Sequence, residues 1–443
     1  MAGMKKPSAI VILAMALALV AAACGSSSKK SQSSSGATTP TTAAAASGAS
    51  CTGTSGSSGG LVLGGLMPQS GDLKVIYKSL CTPVQMAVDE INAAGGINGH
   101  QVKLVYADDG TSPDVASTSL NTLVTSDKVN AILGPAASGT ALGILDKLKS
   151  AGVVACSGST TSAQLSQPGG AAGGFFFRTA PSDKLQGPAL AQLILGDNKT
   201  KVAILTRNDS YGTGFGAALK TALTQGGATV VANDAYDPAS SDFHADVAKI
   251  VGKGANAVVV IGFNDDGAKV LKEMIAQNIG PKQIQIYTAD GMQSSSLGKT
   301  VDPTNPGIVA GIKGTAPAAA PSGVTNPFIA KFAATKIDTI FSSYYYDCTN
   351  LVALAALAAG SNDPAKIRAK MLEVSSGGTK CQDFASCSAL LKQGKDIDYD
   401  GASGPVDLNS QHEPTNGVYD VWKYDSTGAY ANIPGVPQIK ISG

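Results

Sequence analysis

Histidine is nearly missing from this chain. Three occur in 443 residues: His100, His244 and His412. They are scattered through a turn, a capped helix start and a polar loop, so they support neither a metal cluster nor a Ser-His-Asp triad. No G-x-S-x-G nucleophile elbow occurs in the region expected to fold. Asp108-Asp109-Gly110 lacks the spaced oxygens of a calcium loop. Charge is sparse as well, at 15% of residues with a net charge of +1, which gives no reason to expect nucleic acid or an acidic substrate. Aromatic content is low at 5%. Enzyme chemistry, metal binding and polyanion binding are left without support, and no cofactor is expected.

An apolar stretch of membrane-spanning length is also missing at the N-terminus. Lys5 and Lys6 precede an apolar run from Ala9 to Ala23. That run is shorter than the roughly 20 residues a span needs and fits the core of a signal peptide over 1–23. A short uncleaved anchor is the alternative. Ala-Ala-Ala-Cys followed by GSSSKK resembles a bacterial lipoprotein signal, in which Cys24 is lipidated. Ala21 stands where such signals usually carry leucine. Two or more acyl chains on Cys24 would anchor the protein to the outer face of the cell membrane, at about 0.8 kcal/mol per buried methylene. Residues 24–60 are Ser, Thr, Ala and Gly with little to bury, and read as a flexible tether.

What is present in quantity is small residues, with 52 glycines and a hydrophobic fraction of 43%. Setting Cys24 aside, six cysteines remain, and an even count in an exported chain suggests disulfides. Cys381 and Cys387 are near in sequence and form the first expected pair. Cys51–Cys81 would staple the chain start to the first helix. Cys156–Cys348 is the remainder, with a buried free thiol at Cys156 as the alternative.

The stretch 131–165 organises the rest. AIL at 131–133 and VVA at 153–155 read as strands, each running into a loop of Gly, Ser and Thr. The helix between them, about Gly139–Ala151, sets Leu142, Leu145 and Leu148 against Asp146, Lys147 and Lys149. Strand–helix–strand predicts a parallel sheet, and ligands of such sheets sit beyond the carboxyl ends of the strands. Ser138–Thr140 and Ser157–Thr161 fall there, where helix starts also offer N–H groups to an anion.

The same alternation fills the chain. A strand and then a loop opened by Pro68 and Gly71 over 61–72, a helix over Pro83–Ala94, a strand over Gln101–Ala107 and a helix over Pro113–Val124 precede the central stretch. After a crossing at 173–187 come strands at Lys201–Leu205, Thr229–Ala232, Ala257–Ile261 and Gln283–Thr288. Helices over Gly214–Gln225, Phe243–Lys253 and Ala268–Gln277 separate them. Gly311–Pro317 reads as a crossing back and Tyr399–Val406 as a third. GVYDVWKY at 417–424 reads as a closing strand. The expected class is α/β, with two doubly wound lobes: 61–178 plus 312–398, and 179–311 plus 399–443.

Gly212, Gly214 and Ala217 match G-x-G-x-x-A, with Asp234 downstream, which is a dinucleotide-binding pattern. Asn208 to Tyr211 separate strand and first glycine and spoil the tight turn, so the pattern is set aside.

GLMPQSGD, AVDEINAAGGINGHQVKLVYADDGTSP, AILGPAASG, STTSAQLS, NDSYGTGFG, YYYDC and DYDGASGPVDLN occur in that order. Together they resemble the type I periplasmic-binding-protein family, in its leucine/isoleucine/valine-binding branch of ABC-transporter solute receptors. The resemblance spans nearly all of 61–425. It implies two Rossmann-like lobes joined by three crossovers, the type I periplasmic binding protein fold, with a cleft closing on an amino acid or small amide. By match to those motifs, Ser138, Thr140, Ser159, Thr160 and Thr161 would hold the ligand carboxylate and amine. Hydroxyls suit both, donating to one and accepting from the other. Tyr211 would cover the ligand, and Asp266 would face its ammonium, with Asp265 beside it as a rival. Asp290 is a lesser candidate and Tyr77 a rim residue. Each has a plainer reading: hydroxyls as caps or turn formers, Tyr211 as packing, Asp265 and Asp266 as a solvated helix start. The resemblance implies a monomeric, lipid-anchored receptor that serves a membrane permease. A sensor of the same fold without a transporter is the alternative.

Overall fold

The computed structural model describes residues 51–167, 171 and 174–443. The expected signal peptide, Cys24 and the tether as far as residue 50 lie outside them. Among the described residues, no helix is long and apolar enough to cross a membrane.

The first half alternates β1 (Val62–Met67), α1 (Tyr77–Ala93), β2 (Lys103–Asp108), α2 (Pro113–Thr125), β3 (Ala131–Leu133), α3 (Ser138–Ala151), β4 (Val154–Ser157) and β5 (Phe176–Arg178). Its five strands are parallel in the order β2-β1-β3-β4-β5. The chain crosses and continues as α4 (Asp183–Gly196), β6 (Lys201–Arg207), α5 (Ser210–Gln225), β7 (Thr229–Tyr236), α6 (His244–Ala248), β8 (Ala257–Ile261), α7 (Asn264–Ala276), β9 (Gln285–Thr288), α8 (Leu297–Val301) and β10 (Lys313–Pro317). It then returns through α9 (Pro327–Ala333), α10 (Ser342–Ala358), α11 (Pro364–Lys370), β11 (Thr379–Cys381), α12 (Phe384–Lys392), β12 (Ile397–Gly401) and β13 (Gly404–Pro405). β14 (Asn416–Tyr424), β15 (Tyr430–Asn432) and β16 (Ile439–Ser442) end it. The second sheet runs β15-β14-β10-β9-β8-β6-β7, with β16 also on β14. The fold is α/β, two doubly wound lobes joined by three crossovers.

The first sheet is parallel and the second mixed, with β14 antiparallel to β10, β15 and β16; the central parallel strands of both are buried. β3, β4 and β8 are buried at every residue, as strands covered on both faces must be. α10 is buried from Ser342 through Ala356, so it lacks an amphipathic stripe and behaves as a core helix against α1 and β4.

Several expectations change. Lys313–Pro317 pairs with β9 and β14, so the second crossing follows Pro317 instead of occupying Gly311–Pro317. Ile397–Gly401 pairs with β11 and packs near α10, which moves the third crossing past Tyr399 as well. Residues 51–60 do not trail freely. Cys51 is disulfide-bonded to Cys81, and Thr54 exchanges backbone hydrogen bonds with Leu104 on the β2 edge (3.0 and 3.2 Å). Composition missed this because the binding groups there are backbone. α1 starts at Tyr77 and carries Pro83 inside it; burial of Leu80, Cys81 and Val84 outweighs the one lost hydrogen bond. On α3 the buried face is Ala141, Ile144 and Leu148, with Leu142 and Leu145 only half-buried. α6 is shorter than expected. The structure contains all three expected disulfides, Cys51–Cys81, Cys156–Cys348 and Cys381–Cys387.

Candidate functional site

In each sheet the strand order reverses beside its first strand, between β1 and β3 and between β6 and β8. Loops diverge at such a point and leave a crevice at the carboxyl ends of the strands. The two crevices meet in one narrow cleft, lined by residues of both halves and largely filled by its own side chains. From the first half come Leu73 and Ile76 after β1, Ala136 to Ser138 after β3, Ser159 and Thr161 after β4, and Phe341 before α10. From the second come Tyr211, Phe263, Asp290 and Gly291. Among the described residues, no Lys, Arg or His lines it.

The first-half wall is set by turns. β3 ends in Gly134 (φ 119°), where a side chain would strike the Leu66 carbonyl. The chain then enters α3 at Ser138 with Ala137 in the cap position, so no side chain satisfies the first-turn N–H groups. Ser138 Oγ accepts from Ser162 N at 3.2 Å. Ser159 Oγ donates to the Ala136 carbonyl at 2.9 Å and meets Tyr345 OH at 3.2 Å. The Arg178 guanidinium donates to the carbonyls of Thr160 (3.1 Å) and Ser162 (2.9 Å) and pairs with Glu413, fixing this loop to the third crossover.

The second-half wall is acidic and aromatic. Asp209 caps α5, accepting from Gly212 N at 2.8 Å, so the expected loop NDSYG is the helix start and its glycines lie inside the helix. That removes the dinucleotide turn. Tyr211 stacks on Phe263 (centroids 5.4 Å) and donates to Asp290 Oδ1 at 3.1 Å. Gln186 donates to the same oxygen at 2.9 Å. Behind them lies Asp183, fully buried, neither of whose oxygens completes a hydrogen bond. Burial, and then the Asp290 charge, push the Asp183 carboxyl well above the usual range; the nearby Thr161 hydroxyl and Arg178 pull it back. Burial raises Asp290 too, opposed by the Tyr211 hydroxyl, its backbone N–H and Gln186. Asp290 holds the Tyr211 and Gln186 donors and Asp183 is pushed up the further of the two, so ionisation of the pair favours Asp290.

Ser138, Ser159, Thr161, Tyr211 and Asp290 thus share the cleft. Thr140 and Thr160 do not line it; their hydroxyls are buried without partners. Tyr77 begins α1 next to cleft-lining Ile76 but stays outside. Asp265 is exposed and accepts from Asn264. Asp266 is buried away from the cleft, held by Arg207 Nη1 (2.8 Å), Tyr236 OH and Phe263 N (3.2 Å). Its charge is already answered by Arg207, 59 residues away in sequence, and local pattern could not reveal that. Residues that the sequence reading missed are Leu73, Ile76, Phe263, Phe341 and Asp183. Phe263 had a signal, lying one glycine beyond the apolar strand AVVVI; Leu73 and Ile76 had none.

A family model described as periplasmic binding protein matches residues 61–428. A Pseudomonas aeruginosa protein named "Amino acid binding protein" is 29% identical over 311 residues, covering 69% of this chain and 80% of its own. The "Chemotactic signal transduction system substrate-binding protein BasB" of Halobacterium salinarum is 28% identical over 365 residues, covering 81% and 85%. The crystal structure of the branched-chain amino acid transporter substrate binding protein LivJ from Streptococcus pneumoniae, in complex with isoleucine, superposes with a TM-score of 0.68. It has 22% identity and covers 86% of this chain and 99% of its own. That likeness speaks for the fold. With the match running through both lobes and across the cleft, this chain belongs to the periplasmic binding protein family, a family of solute binders and not of enzymes.

Proposed function

We propose that the cleft traps a small zwitterion, an amino acid with an aliphatic side chain or a related small amide. The observation that carries this is the polarity of its ends. One wall offers uncapped N–H groups of α3 with the Ser138 and Thr161 hydroxyls, which suit a carboxylate. The other offers the buried Asp290 carboxylate with no basic side chain beside it in the described lining. A buried charge without a counter-ion is costly, and a ligand ammonium answers it. Leu73, Ile76, Phe263 and Phe341 supply an apolar surface for the rest of the ligand. The isoleucine held by the pneumococcal protein is a ligand of this kind.

In this reading the protein is exported, tethered through lipid on Cys24, monomeric, and hands its ligand to an ABC permease. Isothermal calorimetry against amino acids, their amides and aromatic acids is the test. Saturable binding of aliphatic amino acids supports the reading; binding of aromatic acids alone, or of nothing in the panel, overturns it. The similarity to a chemotactic substrate-binding protein favours a second reading, a sensor with no transporter. Uptake of the bound amino acid after gene deletion separates the two, since a sensor leaves uptake unchanged.

A further inference from the structure

The lobes touch through polar contacts that no cleft-lining side chain makes. Asp72, in the first-lobe loop after β1, accepts from Arg207 Nη2 at 3.2 Å. Arg207 ends β6 in the second lobe. It is fixed there by Asp266 (2.8 Å) and Asp209 (2.7 Å), with its guanidinium 3.7 Å from the Phe263 ring centroid. Asp338, in the first-lobe segment before α10, accepts from Ser295 N at 3.0 Å and Ser295 Oγ at 2.9 Å, and from Tyr430 OH at 3.4 Å. Ser295 and Tyr430 belong to the second lobe. Both carboxylates sit at the rim: the Asp72 side chain is 50% exposed and Asp338 is half-buried. Each lies close in sequence to a lining residue, Asp72 beside Leu73 and Asp338 three before Phe341.

We propose that Asp72 and Asp338 are closure latches, first-lobe carboxylates that engage second-lobe donors only when the cleft is shut. They would set ligand affinity and residence time without touching ligand. The inference rests on reading the cleft as a ligand trap. Observed affinity is the intrinsic affinity of the closed state multiplied by the fraction of protein that can close, so a contact present only in the closed state counts directly towards binding. The two differ in kind. Arg207 is held by second-lobe carboxylates whether or not Asp72 arrives, so opening leaves no buried charge stranded. Asp72 itself is exposed, which makes that latch cheap to release and sensitive to salt. Asp338 uses neutral donors, so its contribution varies little with salt. Both are positioning residues.

The test uses Asp72→Asn, Asp338→Asn and the double variant in the exported chain. Calorimetry and stopped-flow measurements with L-isoleucine are made at 50 and 500 mM salt, and small-angle scattering with and without it. Each single substitution is expected to weaken binding about two- to fivefold, the scale of a partly exposed ion pair at Asp72 and of net hydrogen bonds at Asp338, through faster dissociation. Wild-type affinity falls with salt, and Asp72→Asn flattens that slope while Asp338→Asn keeps it. Without isoleucine, the double variant has a larger radius of gyration than wild type. Melting temperatures of the ligand-free single variants stay within a degree or two of wild type. Unchanged dissociation and unchanged scattering in the double variant overturn the latches. If isoleucine binds none of the proteins yet the double variant still expands, the latches stand and the ligand assignment is what fails.

Discussion

At Asp290, a carboxylate oxygen is held by Tyr211 and Gln186, both neutral, beside a second carboxyl, Asp183, that burial and the Asp290 charge push well above the usual range. Asp290→Asn removes the charge but preserves the shape. Affinity for an aliphatic amino acid is expected to fall about 30-fold or more, the lower bound for truncating a buried charge pair. Thermal stability should hold or rise, because a carboxylate facing another carboxyl is relieved. Asp265→Asn, at an exposed position, should change affinity less than about twofold; calorimetry and melting curves check both. Proton and ligand ammonium compete for the Asp290 carboxylate, whose pKa is raised in the folded protein. Acidification therefore loads the carboxylate with protons and weakens binding. Affinity at pH 5 is expected below that at pH 7.5, and Asp290→Asn should remove most of the difference. This residue-scale arrangement was only partly legible. Asp266 and Asp290 look alike in sequence, as acids just after strands; what separates them is Arg207, which reaches the first and not the second.

Among the elements, the loop after β4 depends on how closely it approaches α10. A Cβ on Gly158 would lie 2.6 Å from Tyr345 N and 2.7 Å from Tyr345 Cδ2. Gly158→Ala must push the loop off the helix, and with it Ser159 and Thr161. A loss of about 1–3 kcal/mol in urea unfolding is expected, together with weaker ligand binding. Gly196→Ala has open space within 4 Å and serves as the control, expected to leave binding intact. The alternation of strands and helices was legible because apolar strand runs and terminal glycines are local signals. The helix starts at Tyr77, Ser210 and Asn264 were not read. Caps such as Asp209 compete with neighbouring turn formers, and burial of the first turn decides between them.

For the whole molecule, the Cys156–Cys348 bond spans 192 residues and ties the strand before the ligand loop to α10. Replacing both cysteines with alanine is expected to cost about 2–5 kcal/mol in equilibrium unfolding. Removing Cys381–Cys387, six residues apart, should cost less, since a short loop loses little chain entropy on closure. The first and third crossovers are joined by Arg178–Glu413, and Asp347 on α10 accepts from Tyr399 OH and Ala402 N at 2.8 Å each, just before the third. These bonds link segments far apart in the chain, and the crossing points read from local sequence were accordingly too early.

The sequence by itself determined the layered α/β plan, the pairing of strands into two similar lobes and the hydroxyl-rich loops at their carboxyl ends. Those features follow from periodicity and turn chemistry, which act over a few residues. Tertiary structure alone decided which carboxylate faces the cleft, which acids are already paired, that residues 51–60 strap onto an edge strand, and where the lobes touch. Each of these depends on groups tens to hundreds of residues apart, brought together only when the two sheets pack into their final arrangement.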